Sequence, residues 1–437
     1  MALVAHRALS VVAFHHLTCS PTVSLSPSHF LPFASSRFHV FTFSRFHSCL
    51  AHCSLLIAHC CLLTLILATI EAHPQPNVSR AQFVAARGTC LTLDEKPFHF
   101  VGTNCYYLMT YAANPDRRAA VDEVLESASQ MGLTVIRTWA FNDGEGKHAL
   151  QKTPGVYDES VFAGLDYVVW KARELGLRLI LVLVNNWDDY GGMGQYVDWS
   201  PTAQTHDDFY TDAHTRQWFR DYASTMLNRV NTLTQVAYKD DPTIMAWELA
   251  NEPRSRRARG QDLRAWVLEM SAHIKSIDAN HLVAVGTEGL DLFVELHQIA
   301  SIDFCTVHLW SNQWRWTEDH AVSWLRDRID EAHNVVKKPL ILEEFGVQRD
   351  PKPEGQEASN GENHRRETNG RDAFYARLLE TTFDSGAAGA LFWILYHKTY
   401  PDYDGFGVYY PEDASTIRLF QQFVQRANRL SSEQCRE

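Results

Sequence analysis

Short apolar runs alternate with longer amphipathic stretches along most of the chain. Eight runs are rich in β-branched residues, and they cover residues 99–104, 134–140, 178–185, 243–250, 282–286, 303–310, 339–346 and 389–396. Stretches with apolar residues at helical spacing separate or follow them, at 119–131, 161–175, 215–233, 263–277, 321–336, 371–383 and 418–430. Strands that are apolar almost throughout and are separated by helices are typical of a parallel sheet covered on both faces.

The number of strands favours one fold within this α/β class. Eight of them fit a closed (β/α)8 TIM barrel better than an open doubly wound sheet. No Gly-x-Gly-x-x-Gly follows the first strand and no Walker loop occurs, which excludes the commonest nucleotide-binding open sheets. We therefore predict a single barrel domain at 85–430, preceded by a short linker at 73–84 and followed by a tail at 431–437. The polar segment 349–369 predicts a long loop after the seventh strand.

The N-terminal region differs sharply in composition from the rest. Residues 1–70 contain no Asp or Glu and three basic residues, although the chain has 52 acidic and 40 basic residues. This contrast predicts a signal or targeting extension at 1–72. The largely apolar run 50–70 fits a secretory segment that is removed after translocation, a retained anchor near the length of a bilayer span, or part of an organelle transit peptide. We expect a secreted protein, with membrane anchoring by residues 50–70 as the alternative.

Charge and cysteine content narrow the classes of partner. The formal net charge is −12, which argues against a nucleic-acid binder, since such a protein needs a basic face. Four cysteines follow residue 72, and their spacing matches no zinc motif, so we expect no metal. Cys305 lies in an apolar run, which predicts a buried thiol. Asn77-Val78-Ser79 is an acceptor sequence for N-glycosylation, which would make the secreted form a glycoprotein. We expect a monomer.

Polar and aromatic residues follow the ends of the predicted strands. They are Arg137 and Trp139 (second strand), Asn186 and Trp187 (third), Glu248, Asn251 and Glu252 (fourth), His308 and Trp310 (sixth), Glu343 and Glu344 (seventh), and Trp393 (eighth). Active sites of such barrels form at the carboxyl ends of the strands, so these side chains should converge on one cleft. Paired carboxylates with aromatic platforms are what the cleavage of a glycosidic bond requires.

Some of these residues also have an ordinary structural interpretation. Glu343 and Glu344 are adjacent in a strand, so they should face opposite ways, and the following Phe-Gly favours Glu344 for the cleft. Glu248 is more typical of a buried, hydrogen-bonded acid than of a catalytic one. Four arginines between residues 254 and 259 predict a solvated loop at the cleft edge.

Three segments together carry a family resemblance. They are Ala246-Trp247-Glu248-Leu249-Ala250-Asn251-Glu252-Pro253-Arg254, Glu344-Phe345-Gly346, and Asn185-Asn186-Trp187-Asp188-Asp189-Tyr190-Gly191-Gly192 with Gln195-Tyr196-Val197-Asp198-Trp199. On these residues, the chain resembles glycoside hydrolase family 5, and within it the β-mannanases, across about 85–425. The resemblance implies a catalytic barrel that needs no cofactor. It also implies retaining endo-hydrolysis of β-1,4-mannosidic linkages in mannan, glucomannan and galactomannan by double displacement.

By this resemblance, Glu252 would be the general acid/base and Glu344 the nucleophile. Asn251 would bond the 2-hydroxyl of the sugar in the −1 subsite, and Arg137 would hold Glu344 ionised because a nearby cation favours the carboxylate. His308 would line that subsite near the acid/base.

Aromatic residues would complete the substrate site. Trp393 would form the floor of the −1 subsite, and Asn186 would be a further substrate contact. Trp139, Trp187, Trp199 and Trp314 would be stacking candidates along the cleft. One residue departs from the family pattern: Trp310 stands where many members have a tyrosine that is hydrogen-bonded to the nucleophile, and an indole can donate but cannot accept.

Rival functions use the same barrel. An exo-β-mannosidase or a β-1,4-glucanase would keep both glutamates and differ in its loops. A non-catalytic mannan-binding protein would be marked by the loss of either glutamate, and both are present.

Overall fold

Eight parallel strands form the main sheet, and each lies within one of the predicted apolar runs. The computed structural model describes residues 82–349 and 369–433. Within them the strands, named β1 to β8 in chain order, are Phe100–Asn104, Val135–Trp139, Arg178–Val182, Ile244–Glu248, Leu282–Ala284, Cys305–Leu309, Leu340–Phe345 and Gly389–Phe392. Seven of the eight are completely buried along their length, as expected for strands with helices on one side and a barrel interior on the other.

The order of these strands confirms the predicted barrel. Neighbours in the sheet run β5-β4-β3-β2-β1-β8-β7-β6, so the last strand pairs with the first, with Gly389 opposite Phe100. Strands β5 and β6 form no regular ladder. Single hydrogen bonds link this region instead, from the Asp303 N–H to the Val283 carbonyl at 2.8 Å and from the His308 N–H to the Glu288 carbonyl at 3.2 Å.

Helices follow the strands and cover the outside of the sheet. Those foreseen from the helical spacing are Arg118–Met131, Glu159–Glu174, Ala213–Asn228, Gln261–Ile277, Glu318–Glu331, Asn369–Asp384 and Ala414–Leu430. Three shorter helices were not foreseen, at Leu108–Ala112, Gly192–Trp199 and Phe293–His297. Single turns of 3-10 helix at Pro115–Arg117, His206–Tyr210, Tyr238–Asp240 and Arg257–Gly260, and a π-helical turn at Ala332–Val336, complete the helical elements described.

Short strands outside the barrel close its amino-terminal end. Ala85–Arg87, Cys90–Leu93 and Lys96–Pro97 form an antiparallel sheet that the apolar pattern did not predict. Leu91 from this sheet packs with Phe100 and other inward-facing strand residues in one buried cluster. The lower half of the barrel is thus a packed core, which leaves the opposite end for the site. Two further pairs of short strands lie at Gln151–Thr153 with Val156–Tyr157 and at Leu395–Tyr396 with Val408–Tyr409.

Several sequence predictions fall outside the described residues. These are the extension 1–72 with its apolar run, residues 73–81 of the linker with the Asn77 acceptor, residues 350–368 of the predicted loop, and residues 434–437 of the tail. Of the helices described, none combines the length and apolar character that a bilayer span requires. Cys305 is buried in β6, as predicted.

Candidate active site

A cleft of about 690 Å³ opens at the carboxyl ends of the strands. Eight residues expected at the site or along the cleft line it: Trp139, Trp187, Asn251, Glu252, Trp310, Trp314, Glu344 and Trp393. Arg137 and His308 lie beneath this lining, with exposed fractions of 1% and 0%. The strand ends therefore bring the predicted acidic and basic groups together in one place.

Glu252 reaches the cleft through an unusual backbone conformation. The chain leaves β4 at Glu248, and the Asn251 N–H donates to the Val184 carbonyl at 2.8 Å. Glu252 then adopts a φ of 50°, a left-handed conformation that is rare for a residue with a side chain and that clusters at functional sites. Its own N–H donates to the Gly286 carbonyl at 2.8 Å, which holds the turn in place.

The Glu252 carboxyl accepts hydrogen bonds on both oxygens. The indole N–H of Trp187 donates to Oε2 at 2.7 Å, and Nδ1 of His308 lies 2.9 Å from Oε1. Burial alone would raise the pKa of Glu252, but the hydrogen bond and charge of His308, assisted by Trp187, lower it below its ordinary value. The lowered pKa favours the carboxylate, or base, form of Glu252.

Glu343 and Glu344 do not face opposite ways, and that prediction was wrong. The pairing of β7 with β8 shifts register between Leu342 and Phe345, so the simple alternation of a regular strand fails there. Oε2 of Glu343 lies 3.3 Å from Nε2 of His308, while Oε2 of Glu344 lies 3.4 Å from Nδ1 of the same ring. Glu344 alone of the two lines the cleft, as predicted, and Glu343 lies below it.

Arg137 organises the floor of the site with all five of its N–H groups. Its Nε and Nη2 donate to the two oxygens of Glu248 at 2.7 and 2.6 Å, and Nη1 donates to Oε1 of Glu344. The remaining N–H groups donate to Asn104 at 3.0 Å and to Asn251 at 2.8 Å. Glu248 is thus the buried, hydrogen-bonded acid that the sequence suggested.

The pKa directions at Glu344 and His308 follow from burial and from the crowding of carboxyl groups. Burial raises the pKa of Glu344, and His308 and Arg137 lower it by less, so the expected ionising effect of Arg137 is outweighed. Burial disfavours charge on His308, yet the negative charge of Glu344 and the contacts with other carboxylates raise the pKa of the ring well above its ordinary value. The raised pKa favours the protonated form of the His308 ring.

The two cleft carboxyls are close together. One oxygen of Glu252, one of Glu344 and a ring nitrogen of His308 all lie within 4.8 Å of one another. In the part of the chain that is described, these three residues are also the one group spaced as metal ligands would be. Carboxyl groups about 5–5.5 Å apart suit attack by one of them on a sugar carbon, whereas about 6.5–9.5 Å leaves room for a water molecule between.

Aromatic rings surround the carboxyl pair, with Trp393 at the centre. The Trp393 ring stacks on Tyr106 at 5.6 Å between centroids, and its indole N–H donates to Asp404 at 3.2 Å. Trp310 packs edge-on against Trp393 at 5.9 Å, and no hydrogen bond joins it to Glu344 among the described residues. Gly346 makes room for this packing, because a Cβ there would lie 2.9 Å from the Trp310 ring.

The other predicted aromatic positions differ in how much ring they offer. Trp187 is 41% exposed at the cleft wall, whereas Trp139 is 6% exposed and packed by other rings. Its neighbours Tyr106, Tyr190 and Phe141 have centroids 5.0–5.1 Å away. Trp139 is therefore not an open stacking platform.

Two further predicted contacts lie away from the cleft. Trp199 packs on Tyr196 at 5.3 Å and does not line the cleft. Asn186 does not line the cleft either. Its side chain is turned to the backbone, where Oδ1 accepts from the Arg254 N–H at 3.2 Å. The preceding residue, Asn185, lines the cleft and accepts from Asn251 at 3.0 Å. Of these two consecutive residues after β3, Asn185 therefore faces the cleft and Asn186 binds the backbone of the next loop.

Several charged residues of the cleft were missed or only partly foreseen from the sequence. Arg254 was expected on a solvated loop at the cleft edge, and it is exposed there, but it also pairs with Glu288 at 2.6 Å and lies 4.8 Å over the Trp187 ring. Glu288 was missed, although it follows β5, where the rule for strand ends would have found it. Burial, together with the charge of Glu252, raises the pKa of Glu288 to about 7. Asp404, also missed, belongs to the loop after β8.

Comparisons with known proteins identify relatives of this chain. The sequence model of the "GH family 5 beta-mannosidase-like" proteins matches residues 81–400. The chain is 38% identical over 414 residues to mannan endo-1,4-β-mannosidase 5 of Solanum lycopersicum, covering 86% of this chain and 95% of the relative. It is also 38% identical over 387 residues to mannan endo-1,4-β-mannosidase 1 of Oryza sativa subsp. japonica, covering 80% and 87%. The crystal structure of the endo-1,4-β-mannanase from Rhizomucor miehei is similar with a TM-score of 0.69 and 34% identity, covering 79% of this chain and 99% of that one.

Proposed function

The chain belongs to the β-mannosidase-like proteins of glycoside hydrolase family 5, and we propose that it is a retaining mannan endo-1,4-β-mannosidase. Its substrates are mannan, glucomannan and galactomannan, cleaved at internal β-1,4-mannosidic linkages. The observation that carries this proposal is the pair of cleft carboxyls, Glu252 and Glu344, with oxygens within 4.8 Å of each other. That spacing supports a covalent intermediate and hence retention of the anomeric configuration.

The first half of the reaction forms a bond to Glu344. Its carboxylate oxygen attacks the anomeric carbon as the bond from that carbon to the glycosidic oxygen breaks. Glu252 gives a proton to the departing oxygen, so the leaving chain departs as an alcohol. The product of this half is a mannosyl ester on Glu344, and Glu252 is left as a carboxylate.

The proton for this step comes from the His308–Glu252 pair. Nδ1 of His308 lies 2.9 Å from Oε1 of Glu252, and the raised pKa of His308 favours the proton on the ring. Transfer of that proton to Glu252 as the glycosidic oxygen gains charge supplies the acid form. His308 is thus a proton donor to the acid/base from beneath the cleft lining.

The second half restores the enzyme. Glu252, now a base, takes a proton from a water molecule whose oxygen attacks the anomeric carbon, and this proton passes back to His308 across their 2.9 Å contact. The ester bond to Glu344 breaks, which releases a mannan chain whose new reducing end has the β-configuration and returns Glu344 to its carboxylate form. With the negative charge of Glu344 consumed in the ester, the pKa of Glu252 is lower in this half, which favours its role as base.

Neighbouring side chains support substrate binding at the same place. Asn251 lines the cleft, and Arg137 and Asn185 each hold one end of its amide, so its remaining N–H is fixed for the sugar 2-hydroxyl. Trp393 offers a ring face as the floor of the −1 subsite. Trp187 and Trp314 extend the aromatic wall along the cleft.

The proposal includes the location of the protein. Residues 1–72 act as a secretory extension that is removed, Asn77 carries an N-linked glycan, and the mature protein is a monomer outside the cell. Retention of residues 50–70 as an anchor would change the location and leave the chemistry as it is.

Reducing-sugar release by the purified protein from linear mannan and from carboxymethylcellulose tests the proposal. We expect release from mannan only, and a loss of several orders of magnitude in Glu344→Ala and in Glu252→Ala. Release from cellulose would make the protein a β-glucanase, and the absence of release from both would favour an oligosaccharide-specific exo enzyme or a binding protein. The lengths of the first products from mannohexaose separate endo from exo action.

A further inference from the structure

His308 contacts three carboxyl groups, one of which has no place in the reaction described above. Its Nδ1 lies 2.9 Å from Glu252 and 3.4 Å from Glu344, the two groups of the double displacement. Its Nε2 lies 3.3 Å from Oε2 of Glu343. A ring whose two nitrogens both face carboxylate oxygens is satisfied when both nitrogens carry hydrogen.

Glu343 has few alternatives to this contact. It is completely buried, and its Oε1 has no hydrogen-bond partner within the described part of the chain. Arg137 lies 4.0 Å away, but its five N–H groups are used by other acceptors. A buried carboxyl group that lacks hydrogen bonds costs free energy. The contact of Oε2 with His308 is therefore the hydrogen bond that compensates the burial of Glu343.

The charges around the ring act in the same direction. Among the described residues, Arg137 is the one guanidinium on this floor, and the carboxyl groups beside it and His308 are Glu248, Glu252, Glu343 and Glu344. Glu288 lies further out at the cleft wall and is paired with Arg254. Burial lowers the pKa of His297, which also senses the charge of Glu343, to about 4, so that ring adds no positive charge at neutral pH. A proton on His308 lessens the repulsion among these groups. The carboxylate at Nε2 also directs the other N–H of the ring toward Glu252.

From this geometry we infer that Glu343 is a positioning residue for the reaction: it holds His308 as an imidazolium whose Nδ1–H is aimed at the acid/base Glu252. The inference rests on the proposed function. Glu343 touches neither the substrate nor the reacting atoms and acts through His308. Its negative charge keeps a proton in the His308–Glu252 pair up to a higher pH than the pair would hold it alone.

The isosteric variant Glu343→Gln tests this inference through the pH profile of kcat/KM on linear mannan. Removing one negative charge makes every neighbouring proton easier to lose. The basic limb, which reports loss of the proton of the pair, should therefore move to lower pH by about one unit. The acid limb, which reports Glu344, should move the same way, so the whole bell is displaced.

A matched control removes a buried carboxylate elsewhere in the barrel. Asp166 is completely buried, accepts from Arg229 at 2.8 and 2.9 Å and from Tyr238 at 2.7 Å, and lies outside the cleft. Asp166→Asn should leave both limbs where they are. Unchanged limbs in Glu343→Gln, or equal displacement in Asp166→Asn, would overturn the inference.

A spectroscopic measurement needs no active enzyme. Nitrogen-15 shifts of the His308 ring, assigned with His308→Gln, should report two protonated nitrogens at pH 7. A neutral ring at pH 7 would contradict the inference. If no mannan is hydrolysed, the proposed function fails, while the difference in His308 ring shifts between wild type and Glu343→Gln still decides what Glu343 does to His308.

Discussion

Arg137 and Glu248 form a two-point ion pair on the floor of the site, with Nε–Oε2 and Nη2–Oε1 distances of 2.7 and 2.6 Å. Both side chains are buried, with exposed fractions of 1% and 0%. Because the guanidinium is planar, fixing one edge on Glu248 also fixes the direction of its remaining N–H groups toward Glu344 and Asn251. The pair therefore positions the nucleophile without entering the cleft.

The variant Glu248→Gln should be strongly destabilising. It leaves part of a buried guanidinium uncompensated, and we expect a loss of about 3 kcal/mol in the free energy of unfolding, measured with urea. Glu95→Gln is the matched control, because Glu95 also pairs with an arginine at 2.7 Å but is 73% exposed. The control should be indistinguishable from wild type. Equal losses in the two variants would show that the buried pair has no special role.

The pH dependence of kcat/KM should be a bell displaced toward neutral pH. Catalysis needs Glu344 ionised, and burial raises the pKa of Glu344 above its ordinary 4.5, so activity should be lost as the pH falls through a value above 4.5. Catalysis also needs the proton of the His308–Glu252 pair. The pKa of His308 is raised well above 6.5, so activity should persist past pH 6.5 and fall only when the pH passes that raised pKa. An acid limb below pH 4.5 would contradict the assignment of Glu344.

The barrel itself was predictable because its sequence signals are long and regular. Each strand of the main sheet carries a run of apolar residues, and each large helix carries an apolar face. The sheet that covers the lower end escaped prediction, since its strands at Ala85–Arg87, Cys90–Leu93 and Lys96–Pro97 have two to four residues and are too short to show a period.

Convergence of the site residues was predictable for a different reason. Arg137, His308 and Glu344 end up in contact because parallel strands in a barrel terminate on one face. What failed was the direction of individual side chains. The shift of register in β7 lets Glu343 reach the same ring as Glu344, and no alternation rule encodes such a shift. The covering of Trp139 by other rings likewise depends on tertiary packing.

Trp187→Phe should impair catalysis through Glu252. The variant removes the indole N–H that donates to Glu252 at 2.7 Å, and a hydrogen bond to a charged group is worth about 1.5–3 kcal/mol. We expect kcat/KM on linear mannan to fall by about tenfold, and the pKa of Glu252 to rise, since the lost donor had lowered it. Trp199→Phe, which changes a tryptophan packed on Tyr196 away from the cleft, should stay near wild type. Similar losses in both variants would refute a specific role for Trp187.

Asp404 should act on substrate affinity through the sugar platform. Asp404 lines the cleft and accepts from the Trp393 indole N–H at 3.2 Å. The other neighbour of the Trp393 ring, Tyr106, stacks on it without a hydrogen bond to it. In Asp404→Ala, the ring loses the bond that fixes its rotation, and we expect KM for linear mannan to rise about fivefold with kcat little changed, because the platform holds substrate and transition state alike. Asp404→Asn keeps an acceptor oxygen for the indole and should retain most of the affinity. A fall in kcat at constant KM in the alanine variant would instead place Asp404 among the groups that act on the transition state.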